Sequence, residues 1–354
     1  MSENTTMLIE AAGKMFADLC TRQALDAAES AFPQTMWADI EAGGFPAMLA
    51  SESDGGIAAA PSDAVAVLRV AGRHSVPLPL AETMVARWLM SEASVAPIAG
   101  PLTIALGSET QRWQLKGRGR NRTLHGREDA VAWARDAKSI VVIVPKAKGV
   151  VLCMVEPSRF ESEARRNIAG EPRDRIAANG IVPGAVAALD NISIDKVLCM
   201  AALFRAALSV GALGQVLDLC VKYTPERIQF GRPLSRLQAI QQQLAVLAGS
   251  VAASAAITEA AGCTVNQLDG KLMVAVARSR VADAIDTATG IAHQVHGAIG
   301  FAREYMLHFS TRRLWAWRDE YGAAVAWREF VGRTFVGTPA DELWPALAAV
   351  GSNG

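Results

Sequence analysis

The sequence predicts an α+β fold that is mainly helical, with helices first, a small sheet or barrel in the middle and a four-helix bundle at the end. Alanine and leucine, which favour helix, dominate the composition. Short β-branched runs are grouped in the middle of the chain, and four long helical patterns follow them. We therefore expect an N-terminal helical domain over 1–100, a middle β domain over 101–195 and a C-terminal helix bundle over 196–354.

The first domain is predicted to consist of helices joined by short loops. Apolar residues recur there at helical spacing, and Gly or Pro residues interrupt the pattern. Ser62 or Asp63 is suited to cap one helix, and Pro77 and Pro79 precede the next. The expected helices cover residues 7–20, 26–41, 64–72 and 82–92.

The middle and last domains differ in the period of their apolar residues. Three β-branched runs without intervening helices predict a small antiparallel sheet or barrel, with strands at 102–106, 139–144 and 150–155. The bundle helices are predicted at 197–224, 236–265, 270–296 and 311–332. Pro225 lacks a backbone donor and should end or kink the first of them, and Pro233 should mark the start of the second.

The composition excludes several classes of protein. Lys+Arg and Asp+Glu are equal at 35 each, so no global field favours nucleic acid or an anionic membrane. The five cysteines lack CxxC or zinc spacing, which argues against a disulfide framework and for a reducing compartment. The N-terminus has no secretory pattern, and Arg205 and Asp218 interrupt the longest apolar run. We expect a cytoplasmic protein that binds neither nucleic acid nor membrane.

The segment between the first two bundle helices, residues 223–238, is more elaborate than a helical hairpin requires. Arg227 supplies a planar guanidinium suited to phosphate oxygens, and Gly231 lets the backbone bend. Gln229 and Phe230 stand between them. Two interpretations stay open at this point: a phosphate-binding corner, or a plain loop with an exposed Arg227 and a buried Phe230.

A second motif follows near the end of the third bundle helix. It reads His293-Gln294-Val-His296-Gly297-Ala298, and its small residues suit either a ligand contact or close packing of a helix end. The nearby histidines with Glu304 suggest a metal site, because residues three apart share a helix face. However, Gly297 interrupts the helix, and no second carboxylate–histidine pair completes a di-iron set. No metal site is predicted.

Both motifs, in this order, resemble those of the acyl-CoA dehydrogenase family. The resemblance implies the same three-domain layout and a bound FAD. In the family, residues matching Arg227, Phe230 and Gln238 contact the FAD of the neighbouring subunit, within a turn that also contains Gln229. The Gln-x-x-Gly-Gly stretch makes the other contact, and Gln294, Gly297 and Ala298 match it here with one glycine replaced. The resemblance therefore also implies an oligomer, a dimer or a tetramer.

The family's chemistry requires a carboxylate base, and its position in this chain departs from the pattern. The family removes an α-proton with the Glu of a Tyr-Glu-Gly-Thr segment, while the β-hydride passes to flavin. Counting from Gln294 places that segment at Glu320-Tyr321-Gly322, so the order is inverted and Tyr321, with an ordinary pKa near 10, is a poor base. Glu320 is the candidate base, or else a solvated or paired carboxylate. The family's alternative base is replaced by Phe204.

Other positions near the reacting centre also differ. Arg205 matches a family residue near the bound CoA, and an ion pair with Asp218 or Glu320 is the alternative. The family's Thr after Glu-Gly becomes Ala323, and its flavin-stacking Trp-Ile-Thr strand maps onto residues 130–132, Ala-Val-Ala. The family's Thr-Glu…Gly-Ser-Asp loop has no counterpart around 102–109. The residues that would hold a neighbour's FAD are thus better preserved than those that would hold the chain's own.

The resemblance implies two functions, and a third stays open. The first is α,β-dehydrogenation of an acyl-CoA to the trans-2-enoyl-CoA, with electrons passed to an electron-transfer flavoprotein. The second is a non-catalytic partner subunit that completes FAD sites in a hetero-oligomer, as some family members do in catabolism of bulky substrates such as sterol side chains. The third is a helical binding protein without flavin.

Overall fold

The computed structural model describes residues 3–107 and 112–350 and has the mainly helical fold with small sheets that the sequence predicts. The chain divides into two compact units. The helical unit comprises Met1–Leu25, Pro61–Val76 and Ala202–Gly354, and the β unit comprises Asp26–Ala60 and Pro77–Ala201. The boundaries near residues 100 and 195 stay a prediction, because each unit takes its residues from separate parts of the chain.

The long helices of the bundle agree with the first three predicted patterns. Pro225 lies inside the last turn of α6, which ends one residue later, as expected for a helix breaker. The helices with most of their residues in the helical unit are α1 (Glu3–Leu19), α4 (Pro61–Arg73), α6 (Ile194–Glu226), α7 (Gln238–Thr264), α8 (Gly270–His296), α9 (Leu307–Trp317), α10 (Ala324–Phe335) and α11 (Ala340–Ala349).

The prediction of a single fourth bundle helix over 311–332 is wrong. A turn over residues 318–323 separates α9 from α10. Two consecutive residues in this turn have a positive φ, Tyr321 at 56° and Gly322 at 108°, which no helix accommodates. The apolar residues keep a helical spacing on both sides of the turn, and for this reason the sequence pattern did not reveal the break between α9 and α10. The turn contains the candidate base.

Two glycines allow α4 and α6 to cross with their backbones in contact. A Cβ added at Gly211 of α6 would overlap the carbonyl of Arg69, and one added at Gly72 of α4 would overlap that of Leu208. Glycine at both positions is therefore required by close approach and not by an unusual φ.

The β unit contains α3 (Gln34–Ala42) and α5 (Leu80–Glu92), and α2 (Arg22–Ala28) begins just before it. The predicted single helix over 26–41 is wrong, because Pro33 directly precedes α3 and ends the pattern that began in α2. The strands are β1 (Leu102–Ala105), β2 (Gln114–Lys116), β3 (Thr123–Ala132), β4 (Ser139–Pro145), β5 (Val150–Val155), β6 (Glu161–Glu163), β7 (Arg173–Ile181) and β8 (Ala185–Leu189).

These strands form two four-stranded sheets, ordered β1-β4-β5-β8 and β2-β3-β7-β6. β1 pairs in parallel with β4, with Leu102 opposite Ser139, so the prediction of a purely antiparallel sheet is wrong at this edge. The other pairings within the two sheets are antiparallel. One apolar core serves both sheets, with Trp113, Val142 and Ile176 among its members.

Helices α6 and α7 are long and apolar enough to cross a membrane by length and composition alone, although Arg205 and Asp218 interrupt α6. In the most apolar window of α6, 89% of the residues are buried, so its apolar side chains belong to the protein core. The corresponding share in α7 is 28%. The buried positions of α7 include Ser250, Ser254 and Thr258, whereas Val246 is 55% exposed. Within this chain α7 therefore presents apolar surface outward.

Candidate active site

The segment after α6 is a short hairpin that points outward from the helical unit. β9 (Ile228–Gln229) pairs antiparallel with β10 (Arg232–Pro233) around a two-residue loop of Phe230 and Gly231. Their φ angles of 52° and 75° are those of a turn whose two central residues are both left-handed. A short 3₁₀ turn over Leu234–Arg236 follows, so α7 begins at Gln238, close to the start of the helix predicted over 236–265. Pro233 therefore does not mark the helix start, contrary to the prediction.

The side chains of this hairpin are presented to the exterior. Arg227, Gln229 and Gln238 are all exposed, and Phe230 is 88% exposed. The interpretation with a buried Phe230 is therefore wrong for the isolated chain. An aromatic ring exposed to water at the tip of a tight turn is unfavourable, because burying the ring would lower the free energy. The hairpin thus has the properties of a contact element for a ligand or a neighbouring chain.

The second motif lies where α8 ends. Gln294, Gly297 and Ala298 are exposed, and Gly297 ends the helix with φ 60° and ψ −139°. A Cβ added at Gly297 would meet no atom within 4 Å, so open space adjoins this piece of backbone. The end of α8 can therefore receive a group in close contact with its backbone.

An aromatic cluster connects the two motifs within one chain. The His296 ring is 4% exposed and stacks on Tyr223 of α6, with ring centroids 4.6 Å apart. His296 Nδ1 lies 2.8 Å from the carbonyl of Ala292, and Nε2 lies 3.1 Å from the Tyr305 hydroxyl. Burial lowers the pKa of His296 below its ordinary value, which favours a neutral ring that donates through Nδ1 and accepts from Tyr305. The C-terminal end of α6, which leads into the hairpin, and the C-terminal end of α8, which carries Gln294, therefore lie close together.

The sequence alone did not reveal this cluster. Tyr223 and His296 lie within the two motifs and Tyr305 follows the second, yet only the packing of the three rings in the structure shows what they do. The signal available was a histidine followed nine residues later by a tyrosine, which is too common a pattern to be specific.

The candidate base is paired with an arginine of the longest helix. Glu320 Oε2 lies 2.9 Å from Arg205 Nε, and the two side chains are 19% and 3% exposed. Of the two alternatives for Arg205, the structure therefore shows the pair with Glu320, because Asp218 pairs with Arg73 instead. Since Arg205 is almost wholly buried in this pair, the geometry favours the ion pair over a direct contact with CoA. Glu320 lies on the turn before α10 and not on a helix.

Two aromatic rings contact the arginine of this ion pair. The guanidinium carbon of Arg205 lies 5.4 Å from the centroid of Trp317 and 5.5 Å from that of Tyr321. Both distances are within the range of cation–π contact. Arg205 thus meets the Glu320 carboxylate and two ring faces at once. Phe204, beside it on α6, is fully buried and carries no acid–base group.

The positions in the β unit matched to flavin stacking provide no exposed ring. At the end of β3, Ala130 is exposed, whereas Val131 and Ala132 are buried. Trp133, which has φ 55°, is 4% exposed and packs edge-on against Phe32. The positions compared with the family's other loop, Ser108 and Glu109, lie outside the described residues.

Comparison with known proteins agrees with these features. The family model for the acyl-CoA dehydrogenase C-terminal domain matches residues 193–318, a range that contains Arg205, Arg227 and Gln294 and ends before Glu320. The acyl-CoA dehydrogenase IpdE2 of Mycolicibacterium smegmatis is 33% identical over 134 residues, which are 38% of this chain and 41% of that protein. The IpdE2 of Mycobacterium tuberculosis is 27% identical over 289 residues, which are 81% and 82% of the two chains.

A solved structure extends the likeness over the whole fold. The ChsE4–ChsE5 complex from Mycobacterium tuberculosis superposes with a TM-score of 0.83 over 96% of this chain and 99% of that chain, at 21% identity. At this identity the likeness concerns the fold alone. The resemblance first indicated by the two motifs is confirmed: residues 193–318 match the C-terminal domain of the acyl-CoA dehydrogenase family, and a relative named as an acyl-CoA dehydrogenase and a solved structure of the same fold extend the likeness over most of the chain.

Proposed function

We propose that the chain is an FAD-dependent acyl-CoA dehydrogenase that oxidises an acyl-CoA thioester to the trans-2-enoyl-CoA. The observation that supports this most is the placement of Glu320 and Arg205 in the same unit as the exposed Arg227 and Gln294 motifs. One unit thus contains both a candidate base and donors for a dinucleotide.

The residues at the exposed motifs fit the phosphate half of FAD. Arg227 offers a guanidinium, and Gln229, Gln238 and Gln294 offer amides. The open space beside Gly297 admits a group against the backbone, with Ala298 next to it, and Phe230 offers a free ring face. Bound FAD would supply the acceptor for the β-hydride of the substrate.

Glu320 is the group in this site that we expect to take the α-proton. A carboxylate that accepts a proton while paired with a guanidinium leaves that cation without a partner, because Arg205 remains protonated at any physiological pH. The pair is therefore lost when Glu320 takes the α-proton and forms again when that proton leaves. The rings of Trp317 and Tyr321 cover the Arg205 guanidinium, which is 3% exposed, and a charge interaction is stronger when one partner is withdrawn from water.

We further propose that the hairpin serves the FAD of a neighbouring chain. The exposed Phe230 and the outward apolar surface of α7 both favour burial against a neighbour, consistent with a dimer or tetramer. Electrons would then pass to an electron-transfer flavoprotein. The cytoplasm suits the scattered free cysteines, of which the described ones form no disulfide.

A second function is favoured by a different observation. The buried Trp133 and the alanines at 130, 132 and 323 provide no ring or hydroxyl for a flavin bound by this chain itself. A non-catalytic subunit that completes the FAD sites of a conventional partner would need only the hairpin and the end of α8 that carries Gln294. The solved chain with this fold in the ChsE4–ChsE5 complex belongs to an assembly of two named components, which is compatible with such a role. A flavin-free binding protein is least favoured, because Arg227 and Gln294 are both present and exposed.

The visible spectrum of the purified chain distinguishes these functions. A yellow protein whose flavin absorbance bleaches anaerobically with acyl-CoA supports the dehydrogenase, and Glu320→Gln should then abolish bleaching while flavin remains bound. A colourless protein that acquires flavin only when coexpressed with a conventional subunit supports the partner role. Undiminished bleaching in Glu320→Gln would eliminate Glu320 as the base.

A further inference from the structure

The turn that contains Glu320 is held by a buried arginine that the proposed reaction does not use. Arg278 of α8 is 2% exposed. Its Nη2 lies 2.8 Å from the backbone carbonyl oxygens of Arg318 and Glu320, and 3.4 Å from those of Trp317 and Gly322. An NH₂ group has two protons, so the two short contacts are the hydrogen bonds that count. The two longer contacts add the attraction of aligned carbonyl dipoles.

These carbonyls need such a partner. α9 ends at Trp317, directly before the turn, so the Trp317 carbonyl is one of the four that a helix C-terminus leaves without an intrahelical donor. The carbonyls of Arg318, Glu320 and Gly322 lie beyond the helix, in the turn itself. Many helices satisfy their last carbonyls by ending in a glycine that adopts the left-handed conformation. Here the left-handed residues come later, at Tyr321 and Gly322, so the carbonyls before them point inward to Arg278. A cation at a helix C-terminus is also favoured by the helix dipole.

The remainder of the turn is fixed by packing. A Cβ added at Gly322 would lie 2.6 Å from Trp327 Nε1, and that indole donates to the Gly322 carbonyl at 3.2 Å. The φ of 108° at Gly322 excludes other residues independently. Trp327 of α10 and Arg278 of α8 therefore hold the turn from two sides.

Burying a cation is expensive unless polar groups compensate it, and the carbonyls of the turn provide that compensation for Arg278. Burial, together with the charge of Arg205, lowers the pKa of Arg278 to about 10, although Glu320 and Asp319 oppose the shift. Arg278 nevertheless remains a cation at neutral pH. Glu320 is therefore held by two guanidinium groups: Arg278 binds its backbone carbonyl, and Arg205 binds its carboxylate.

We propose that Arg278 is a positioning residue, which sets the conformation of the 318–323 turn and so places the Glu320 carboxylate against Arg205. Its kinetic consequence rests on the proposed role of Glu320 as the base. The structural part does not, because it concerns only the geometry of the turn. Arg278→Lys keeps the cation but replaces the planar fork with a single ammonium group, whereas Arg278→Met removes the charge at similar length.

Hydrogen exchange followed by mass spectrometry tests the structural part on the full chain. In Arg278→Met we expect peptides covering 318–324 to exchange about tenfold or more faster, while peptides from α7 exchange as in the wild type. Arg278→Lys should restore most of the protection. Unchanged exchange in 318–324, or an equal increase throughout the bundle, would overturn the proposal. If Arg278→Met does not fold, Arg278→Lys and Arg278→Gln are compared instead, with slower exchange expected in the lysine variant.

The reductive half-reaction tests the kinetic part separately. The flavin content of the Arg278 variants should equal that of the wild type, because the hairpin and the end of α8 that carries Gln294 are unchanged. The rate of flavin bleaching at saturating acyl-CoA should fall at least about tenfold in Arg278→Met and recover in Arg278→Lys. A wild-type chain that never bleaches while the exchange pattern holds would count against the proposed function and for the structural role of Arg278. A bleaching rate unaffected by Arg278→Met would overturn the positioning role.

Discussion

Breaking the Arg205–Glu320 pair should destabilise the protein asymmetrically. Glu320→Gln keeps the shape of the side chain but leaves Arg205, 3% exposed, without its carboxylate and near the cationic Arg278. Removing one partner of a buried pair costs about 3–5 kcal/mol of the free energy of unfolding. Because the Glu320 side chain is 19% exposed, we expect the lower end, about 3 kcal/mol. Arg205→Met should cost less, because water reaches the remaining carboxylate.

The double variant measures the interaction itself. If the two groups stabilise each other, Arg205→Met with Glu320→Gln should cost less than the sum of the single variants, by about 1–3 kcal/mol. Thermal unfolding followed by circular dichroism is a suitable assay, with all four proteins free of flavin, since a bound ligand would raise the melting temperature.

The expected size of the change is well above the error of that assay. For a domain of 150–250 residues, 1 kcal/mol shifts the melting temperature by about 2–4 °C, so Glu320→Gln should lower it by about 6–12 °C. Additive single effects would show that the two charges do not interact. A more stable Glu320→Gln would refute the pairing altogether.

Three further predictions concern other parts of the molecule. Gly211→Ala should force α4 and α6 apart and lower the free energy of unfolding by about 1–3 kcal/mol. The control Gly13→Ala lies in open space on α1 and should be neutral or stabilise the protein by up to about 1 kcal/mol. Because burial lowers the pKa of His296 in the folded state, the unfolded state binds a proton on this ring at a higher pH than the folded state does. The free energy of unfolding should therefore be highest above about pH 6.5 and decrease as the pH falls below that value. Melting temperatures between pH 7.5 and 5.5 should therefore fall less in His296→Phe than in the wild type, and an identical slope would contradict the assignment. Gly297→Ala should weaken flavin binding measured by fluorescence titration, because its φ of 60° strains any other residue by about 1–3 kcal/mol, and unaltered binding would show that the turn tolerates a side chain.

The fold was largely predictable because long apolar patterns determine it. The first three bundle helices and the β-branched strands β1, β4 and β5 lie where the sequence predicts them. Strands β3 and β7 were missed, since their polar and charged residues hide the alternation. The break between α9 and α10 was also missed, because Tyr321 adopts its left-handed conformation only with support from residues distant in sequence.

The site was predictable only in part. Motif spacing identified Arg227, Gln294 and Glu320 as candidates, and their roles stay predictions. Spacing did not identify Arg278, because a buried arginine on an alanine-rich helix resembles any surface arginine in sequence. Its function follows from the four carbonyls that converge on it, and these come from a turn about 40 residues away.

Subunit complementation tests most directly whether the cofactor site is shared between chains. Arg227→Ala and Glu320→Gln chains carrying different tags would be coexpressed, and the mixed oligomer purified through both tags. In a shared site, Arg227 from one chain completes the site that contains Glu320 of the other, so the mixed oligomer should bleach with acyl-CoA although each parent is inactive. A mixed oligomer as inactive as its parents, beside an active wild type, would show that both groups act within one chain.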